Sequence, residues 1–229
     1  MLLLAVDTSG KNGSVSLARV AAGRPEVEVV ETVPLAGGTF SAQLVPQIAA
    51  LLEKHGYSKK DLAAFAAVSG PGSFTGLRVG LAAIKALAEA LRKPIVAISL
   101  LEAVAESGHS GGRVLAALDA GRSEVYVGDY EIGGNAGDSQ PHMPGERLLG
   151  REEFLADAKG KAVVTPDATL AELLQPAGLR CERIEYPGSA VVARLGWERI
   201  RRGQTVRPED LEANYIRRSD AEIFAPPKS

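Results

Sequence analysis

The sequence has very few of the side chains on which enzymes usually build a reactive centre. It contains one cysteine, Cys181, and three histidines, His55, His109 and His142. A single cysteine excludes an intramolecular disulfide and any multi-cysteine metal site, and it fits a reducing compartment. The histidines are too far apart in sequence to share one helical face as metal ligands, and neither an H-E-x-x-H motif nor a Walker loop is present. A self-sufficient hydrolase or metalloenzyme is therefore disfavoured.

An excess of either charge and a long apolar run are also lacking. Lys+Arg 26 against Asp+Glu 28 gives a net charge of −2, so contact with RNA or a membrane would have to be local or supplied by a partner. The apolar opening Met1–Val6 reaches Asp7 at once, which is too short for a signal-peptide core or a membrane span. Hydrophobic residues at 45% and charged residues at 24% are typical of a globular domain. We expect a cytoplasmic protein without membrane contact.

What the sequence does contain is a regular alternation of strand and helix patterns that occurs twice. Three strand-like runs precede an amphipathic helix over 41–55, in which Pro46 predicts a kink or a late start. Strands near 64–68 and 95–98 then flank a helix over 75–91. The pattern restarts with an apolar run that ends in Asp119, as the first run ends in Asp7. We therefore predict an α/β fold of two duplicated lobes, 1–109 and 110–229.

The end of the chain and one loop complete this organisation. The C-terminal segment is expected to return to the cleft between the lobes. Residues 131–145 are rich in Gly, Pro, Asn and Asp and are predicted to form a surface loop.

Two short turns occupy matching places in the two halves. Each puts an acidic residue at the end of a buried strand, followed by small residues with open backbone N–H groups. Such hairpins can surround the phosphates of a nucleotide while the carboxylates hold a metal ion, or each acid can simply hydrogen-bond to its own turn. The candidate residues are Asp7, Thr8, Ser9, Asp119, Gly121 and Arg122.

A glycine-rich segment, Ser69–Gly80, lies between a predicted strand and the helix that follows. Gly70 and Gly72 free the backbone there, and Ser73 can cap the helix. The segment can present open N–H groups and a positive helix end to a phosphate, or it can be only a tight, capped turn.

The helix over 75–91 has almost no polar face. Its charged residues occupy a stripe roughly 60° wide at about 100° per residue. A helix of this kind must be buried on nearly all sides, so one flank is expected on the sheet and the other against a second helix or subunit. We predict that this helix and the helix over 41–55 form a subunit interface, with the alanine flank facing the partner. The interface candidates are Leu44, Ile48, Leu51, Val79, Ala82, Ala83, Ala86 and Ala90.

The region Arg194–Arg218 is rich in arginine. A local excess of arginine can contact RNA phosphates. An amphipathic helix with internal ion pairs is the favoured alternative.

Several of these segments together resemble the TsaB (YeaZ) family. The resemblance rests on Asp7-Thr8, on Gly70–Arg78, on Leu115–Arg122 with Glu124-Val-Tyr126, and on Asn214–Arg217. It extends over the whole chain, and the segment Gly-Pro-Gly-Ser-Phe-Thr-Gly is its most specific part. The family implies a fold of two RNase H-like lobes, of the actin, Hsp70 and sugar-kinase type.

The resemblance also implies a role. Members of the family pair with TsaD, the catalytic subunit, through their N-terminal helices. Together with the ATPase TsaE they support the transfer of threonylcarbamoyl from its adenylate to tRNA adenosine. Some members form homodimers through the same surface. TsaD carries an H-x-x-x-H metal motif, whereas the corresponding helix here begins Thr39-Phe40-Ser41 and has no histidine where many family members keep one.

Three hypotheses follow from the residues and the resemblance. The leading one is a non-catalytic partner subunit that has no metal and no tightly bound cofactor, with tRNA reached only through the complex. ATP or ADP would then bind, if at all, in the inter-lobe cleft or at the complex interface. The alternative is an actin-fold phosphotransferase that binds ATP through Asp7 and Asp119. A peptidase, the label often attached to glycoprotease-like relatives, is the weakest of the three.

Overall fold

A computed structural model describes residues 1–20, 26–133, 140–141 and 145–217. The first of its two mixed sheets has the strand order β3-β2-β1-β4-β5. Strand β2 runs antiparallel to β1 and β3, whereas β4 and β5 run parallel to β1. The strands are β1 (Leu2–Asp7), β2 (Gly13–Val20), β3 (Val27–Leu35), β4 (Leu62–Gly70) and β5 (Ile95–Ser99).

The second sheet repeats this arrangement. Its strands are β6 (Gly112–Gly121), β7 (Glu124–Ile132), β8 (Gln140–Pro141), β9 (Arg147–Gly150), β10 (Ala162–Thr165) and β11 (Cys181–Arg183). Both β8 and β9 pair with β7. From β7 the strand order is β7-β6-β10-β11. With β9 in the place of β3, the directions and order match those of the first sheet, which confirms the predicted duplication.

Six α-helices accompany the sheets in the described part of the chain. They are α1 (Phe40–Lys54), α2 (Phe74–Leu91), α3 (Leu100–Ser107), α4 (Arg151–Asp157), α5 (Ala168–Leu174) and α6 (Ser189–Arg201). Pro46 lies inside α1, whose first residue is Phe40. A late start at Pro46 is therefore wrong. Strands β8 and β9 have no counterpart in the sequence-based prediction, and β8 lies inside the predicted 131–145 loop. Residues 134–139 and 142–144 of that loop lie outside the described residues.

The strand pattern of the sequence determines which side chains fill which core. In β1, Leu3 and Ala5 face a central core, whereas Leu2, Leu4 and Val6 face a core under α1 and α2. This alternation is the period of two expected for a strand that is covered on both faces. A third core joins the second sheet to α4 and α5.

The central core is built by helices that each lobe contributes to the other. Helix α6 contacts β1, β2 and β4 of the first sheet, and α3 contacts β6, β7 and β10 of the second. Gly196 of α6 permits the close approach, because a Cβ atom there would lie 2.6 Å from Cβ of Ala66. The boundary between residues 109 and 110 stays a prediction, but the cores of the two halves are shared.

After α6 the chain returns to the first lobe. Val206 bridges Ile95 through two backbone hydrogen bonds, and Leu211 is buried in the core under α1 and α2. Within the ranges that the structure describes, no helix combines the length and apolar character that a membrane span requires.

Candidate functional site

A cleft of about 1090 Å³ brings most of the predicted turns together. Five of the nine residues proposed for phosphate binding line it: Ser9, Gly72, Ser73, Asp119 and Arg122. Asp7, Thr8 and Gly70 are buried behind this surface, and Gly121 lies beside it in the second hairpin. The C-terminal residues Asn214–Arg217 complete the lining.

Asp7 is sealed from the cleft by its own turn. The carboxylate is 1% exposed, and its Oδ1 atom accepts hydrogen bonds from the backbone N–H of Ser9 at 2.8 Å and from Ser9 Oγ at 2.5 Å. Burial raises the pKa of Asp7 to about 6, although the Ser9 hydrogen bonds act in the opposite direction. The geometry is that of an acid that hydrogen-bonds to its own turn.

The glycine-rich segment packs directly on this turn. A Cβ atom on Gly72 would lie 2.6 Å from the carbonyl oxygen of Ser9, and one on Gly76 would lie 2.0 Å from that of Thr8. Thr8 Oγ1 donates to the carbonyl of Gly76 at 2.8 Å. These glycines therefore allow the start of α2 to approach the end of β1.

Ser73 fixes the same junction through both its backbone and its side chain. Its N–H donates to the carbonyl of Ser9 at 2.7 Å, and its hydroxyl caps α2 by accepting from the N–H of Gly76. The capped-turn interpretation accounts for these contacts, and the phosphate role of Gly70, Gly72 and Ser73 stays a prediction.

The second hairpin has a different environment from the first. Asp119 is exposed, and its Oδ1 accepts from the N–H of Gly121 at 2.8 Å. Its backbone N–H donates to Asp167 Oδ2 at 2.7 Å. Burial, followed by the nearby charge of Asp119, raises the pKa of Asp167. The turn itself lies at Arg122 and Ser123, whose φ angles are 54° and 63°.

Tyr186, from the second half of the chain, contacts the first hairpin. The hydroxyl of Tyr186, which precedes α6, lies 3.3 Å from Ser9 Oγ. Residue-level sequence patterns did not point to Tyr186, because nothing in the local sequence places it beside Ser9.

The two hairpin acids do not form a shared ligand site. Asp7 is occupied by Ser9, whereas Asp119 faces the cleft. Throughout residues 1–20, 26–133 and 145–217, no three His, Cys, Asp or Glu side chains converge in a way that could hold a metal ion. The cleft is therefore poorly suited to hold a metal–nucleotide complex between Asp7 and Asp119.

The interface candidates separate into buried and exposed groups. Leu44, Ile48 and Leu51 are core residues of this chain, because they pack between α1 and the first sheet. The surface that α1 offers is formed instead by Ala42, Val45, Pro46, Ala49 and Ala50.

Helix α2 has one buried flank and one exposed flank. Leu77 and Ile84 are buried on the sheet, Val79 and Ala83 are half-buried, and Ala82, Ala86 and Ala90 are exposed. The two helices are in contact, and each exposes small apolar residues. We call these exposed residues of α1 and α2 together the α1/α2 face.

The arginine-rich region is extensively paired within the chain. Arg199 pairs with Glu102, Arg201 with Glu198, Arg207 with Asp210 and Arg217 with Glu124. These contacts agree with the internal ion pairs favoured for this region. Arg218 lies outside the described residues.

The sequence also has the G-x-S-x-G spacing of a nucleophile elbow at 108–112. The structure places it between α3 and the first residue of β6, Gly112, whereas an elbow requires a strand followed by a helix. Ser110 Oγ and His109 Nδ1 both contact Glu182, at 2.8 Å each. Ser110 and His109 each bond to Glu182 and not to each other among the described contacts, so the serine–histidine pair of a catalytic triad is not formed.

The fold and cleft have clear counterparts among known proteins. A family model described as "TsaD: tRNA N6-adenosine threonylcarbamoyltransferase" matches residues 34–191, more than half of the chain, and the chain belongs to this family.

Individual relatives define the branch more closely. The tRNA threonylcarbamoyladenosine biosynthesis protein TsaB of Escherichia coli (strain K12) is 26% identical over 229 residues, which cover 96% of each chain. The TsaB of Bacillus subtilis (strain 168) is 33% identical over 132 residues, 57% of this chain and 56% of that protein. YeaZ from Pseudomonas aeruginosa superposes with a TM-score of 0.73 at 25% identity and covers 93% of this chain and 100% of that one. Within the family, the chain is a member of the TsaB (YeaZ) branch, and its fold is the predicted pair of RNase H-like lobes of the actin type.

Proposed function

We propose that this chain is a non-catalytic subunit of the machinery that transfers threonylcarbamoyl from its adenylate to adenosine in tRNA. It pairs with a TsaD-like catalytic subunit and acts together with a TsaE-like ATPase. Membership of the TsaB branch supports the pathway. The observation that carries the partner role is the α1/α2 face.

The α1/α2 face has the properties of a helix-packing surface. Its exposed residues recur at spacings of three and four along each helix, as in Ala42, Val45, Pro46, Ala49 and Ala50 of α1. Small side chains let helix backbones approach closely, and Val45 is 52% exposed. A second pair of helices would bury this surface.

Further observations support the absence of chemistry in the isolated chain. Asp7 is sealed by Ser9, and in the elbow-like segment 108–112 the serine bonds to the carboxylate of Glu182 and not to a histidine. The phosphotransferase alternative needs both hairpin acids at one nucleotide, an arrangement that the buried carboxylate of Asp7 disfavours. ATP or ADP in the cleft, or at the interface with the partner, stays a proposal.

RNA is expected to bind through the complex. The net charge of −2 and the internal pairing of the arginines leave little electrostatic attraction for phosphates. A homodimer through the α1/α2 face is the competing assembly when the catalytic subunit is absent.

The experiment compares two exposed alanines on different helices. Ala86→Arg puts a charge in the middle of the α1/α2 face and is expected to weaken pairing with the TsaD-like subunit by at least about a hundredfold, because the buried charge would have no partner. Ala156→Arg, on the exposed face of α4, is the matched control and should pair normally. Size-exclusion chromatography with light scattering measures both.

The outcome has a direct interpretation. If Ala86→Arg is folded by circular dichroism and still co-elutes with the catalytic subunit, the α1/α2 face is not the interface. Leu77 and Ile84 cannot serve as interface probes, since they are buried on the sheet and their replacement would report on folding.

A further inference from the structure

Exposed aromatic side chains are concentrated in the cleft. Phe, Trp and Tyr make up only 5% of the sequence. In the part of the chain that the structure describes, the exposed large hydrophobic residues are Met1, Val45, Phe74, Tyr186 and Tyr215. All three aromatic members of this set line the cleft. Burial of an apolar ring is favourable, and a ring that stays exposed forgoes this free energy. Several exposed rings in one concave site therefore indicate a ligand that covers them.

Two of these rings are held together by an arginine. The centres of the Phe74 and Tyr215 rings are 5.0 Å apart with an interplanar angle of 37°. The guanidinium of Arg78 lies 3.6 Å from the centre of the Phe74 ring, and its Nε donates to the hydroxyl of Tyr215 at 3.1 Å. Phe74 is 41% exposed and Tyr215 is 38% exposed. The trio is therefore a preformed platform that is open to the cleft.

Fixed backbone holds both rings in place. Phe74 is the first residue of α2, directly after the capping residue Ser73. Tyr215 follows Asn214, whose N–H donates to the carbonyl of Ser69 at 2.7 Å. Phe74 is therefore held by α2, and Tyr215, in an irregular segment, is held by the neighbouring Asn214 bond, which reduces the conformational entropy lost when a ligand stacks on them.

We propose that Phe74, Arg78 and Tyr215 form a subsite for the planar ring of a nucleobase. Aromatic faces stack bases of any sequence, and an arginine beside them can contact base or phosphate acceptors. The subsite uses neither Asp7 nor Asp119. The base can come from a free nucleotide or from an unpaired position of an RNA strand, and only the RNA source rests on the function proposed above.

The first experiment uses the isolated chain and AMP. Saturation-transfer NMR is expected to show the strongest transfer to the protons of the base, and ribose 5-phosphate should not compete. Phe74→Leu and Tyr215→Leu keep an apolar side chain without an aromatic face and should each weaken binding at least about fivefold. Tyr215→Phe keeps the ring and should bind within about twofold of the unmodified chain. Tyr57→Leu, at a half-buried tyrosine outside the cleft lining, is the control.

The second experiment uses the complex with the TsaD-like subunit and an anticodon stem-loop RNA. Chromatography first establishes whether pairing occurs, so a failure of the proposed function is seen separately. If the leucine variants lose affinity for AMP but bind the RNA normally, the ligand is a free nucleotide. If they lose affinity for the RNA but bind AMP normally, the ligand is a base of an RNA strand. The proposal is overturned if the leucine variants bind both ligands normally, or if Tyr215→Phe loses as much affinity as Tyr215→Leu.

Discussion

At the scale of single residues, Asp7 and Asp119 show how environment separates two side chains that the sequence presents as equivalent. Each ends an apolar run in the sequence, but Asp7 is the last residue of β1, whereas Asp119 lies within β6 and pairs with Val125. Asp7 is covered by Ser9 and by the start of α2, whereas Asp119 lies in a hairpin that opens into the cleft. Burial penalises the charged form of a carboxylate, and it raises the pKa of the enclosed Asp7.

The raised pKa of Asp7 predicts a pH-dependent stability difference. The folded state, with a pKa of about 6, retains a proton that the unfolded state has already released above its pKa of about 4. The contribution of Asp7 to stability therefore falls as pH rises through this window, by up to about 3 kcal/mol. Asp7→Asn lacks this titration.

The measurement is urea unfolding of both proteins at several pH values from 4 to 7.5. The stability of Asp7→Asn relative to the unmodified chain should increase with pH up to about 6.5 and then level off. Loss of the carboxylate hydrogen bonds adds an offset that does not vary with pH. A constant difference across the whole range would contradict a buried, protonated Asp7.

At the scale of elements, the segment from Val206 to Arg217 joins the two lobes. Its backbone is tied to Ile95 and Ser69 of the first lobe. Asn214 Nδ2 donates to Glu146 at 2.6 Å, and Arg217 contacts Glu124, both in the second lobe. A segment that is attached on both sides of the cleft limits how far the lobes can separate.

Asn214→Ala removes one of these inter-lobe attachments. A hydrogen bond to a charged group contributes roughly 1.5–3 kcal/mol when buried, so this partly exposed one is expected to contribute about 1 kcal/mol. Amide hydrogen exchange over 206–217 should become faster while exchange in β1 and β4 stays unchanged.

Arg207→Ala is the comparison within the same segment. The ion pairs of Arg207 with Glu209 and Asp210 are exposed, and exposed pairs contribute little to stability. Equal effects of the two substitutions on hydrogen exchange would show that Asn214 does not hold the segment to the second lobe.

At the scale of the whole molecule, the exchange of α3 and α6 makes the two lobes interdependent. The inner face of the first sheet is covered by α6, which belongs to the second half of the sequence. A fragment of residues 1–109 would expose Leu3, Ala5 and Ala66 to water. We expect this fragment to be unfolded or aggregated, and the full chain to unfold in a single calorimetric transition.

Far-ultraviolet circular dichroism and hydrogen exchange on the 1–109 fragment test this expectation. A soluble fragment with protected amides in β1 and β4 would show that the first lobe folds alone. In that case the central core would be an interface between two independent domains.

The sequence alone determined the alternation of strands and helices, because the spacing of apolar residues in each follows from its local backbone geometry. It also predicted the duplication and the two flanks of α2, since large residues on one side and alanines on the other already specify which side can be buried most favourably. The turn after β1 follows in the same way, whereas the second turn lies at Arg122 and Ser123 because β6 extends through Gly121, two residues beyond the predicted end of its apolar run at Asp119.

Tertiary structure alone decided which residues meet. Leu44, Ile48 and Leu51 have the pattern of any amphipathic helix, and only the sheet beneath α1 makes them core residues instead of surface residues. Gly72 and Gly76 are compatible with a phosphate cradle or with close packing, and only the position of Thr8 and Ser9 shows that both lie too close to the β1 turn for a side chain. Tyr186 reaches Ser9, and α6 reaches the first sheet, across more than 100 residues. Contacts over such separations depend on how the two lobes assemble, which no local pattern in the sequence encodes.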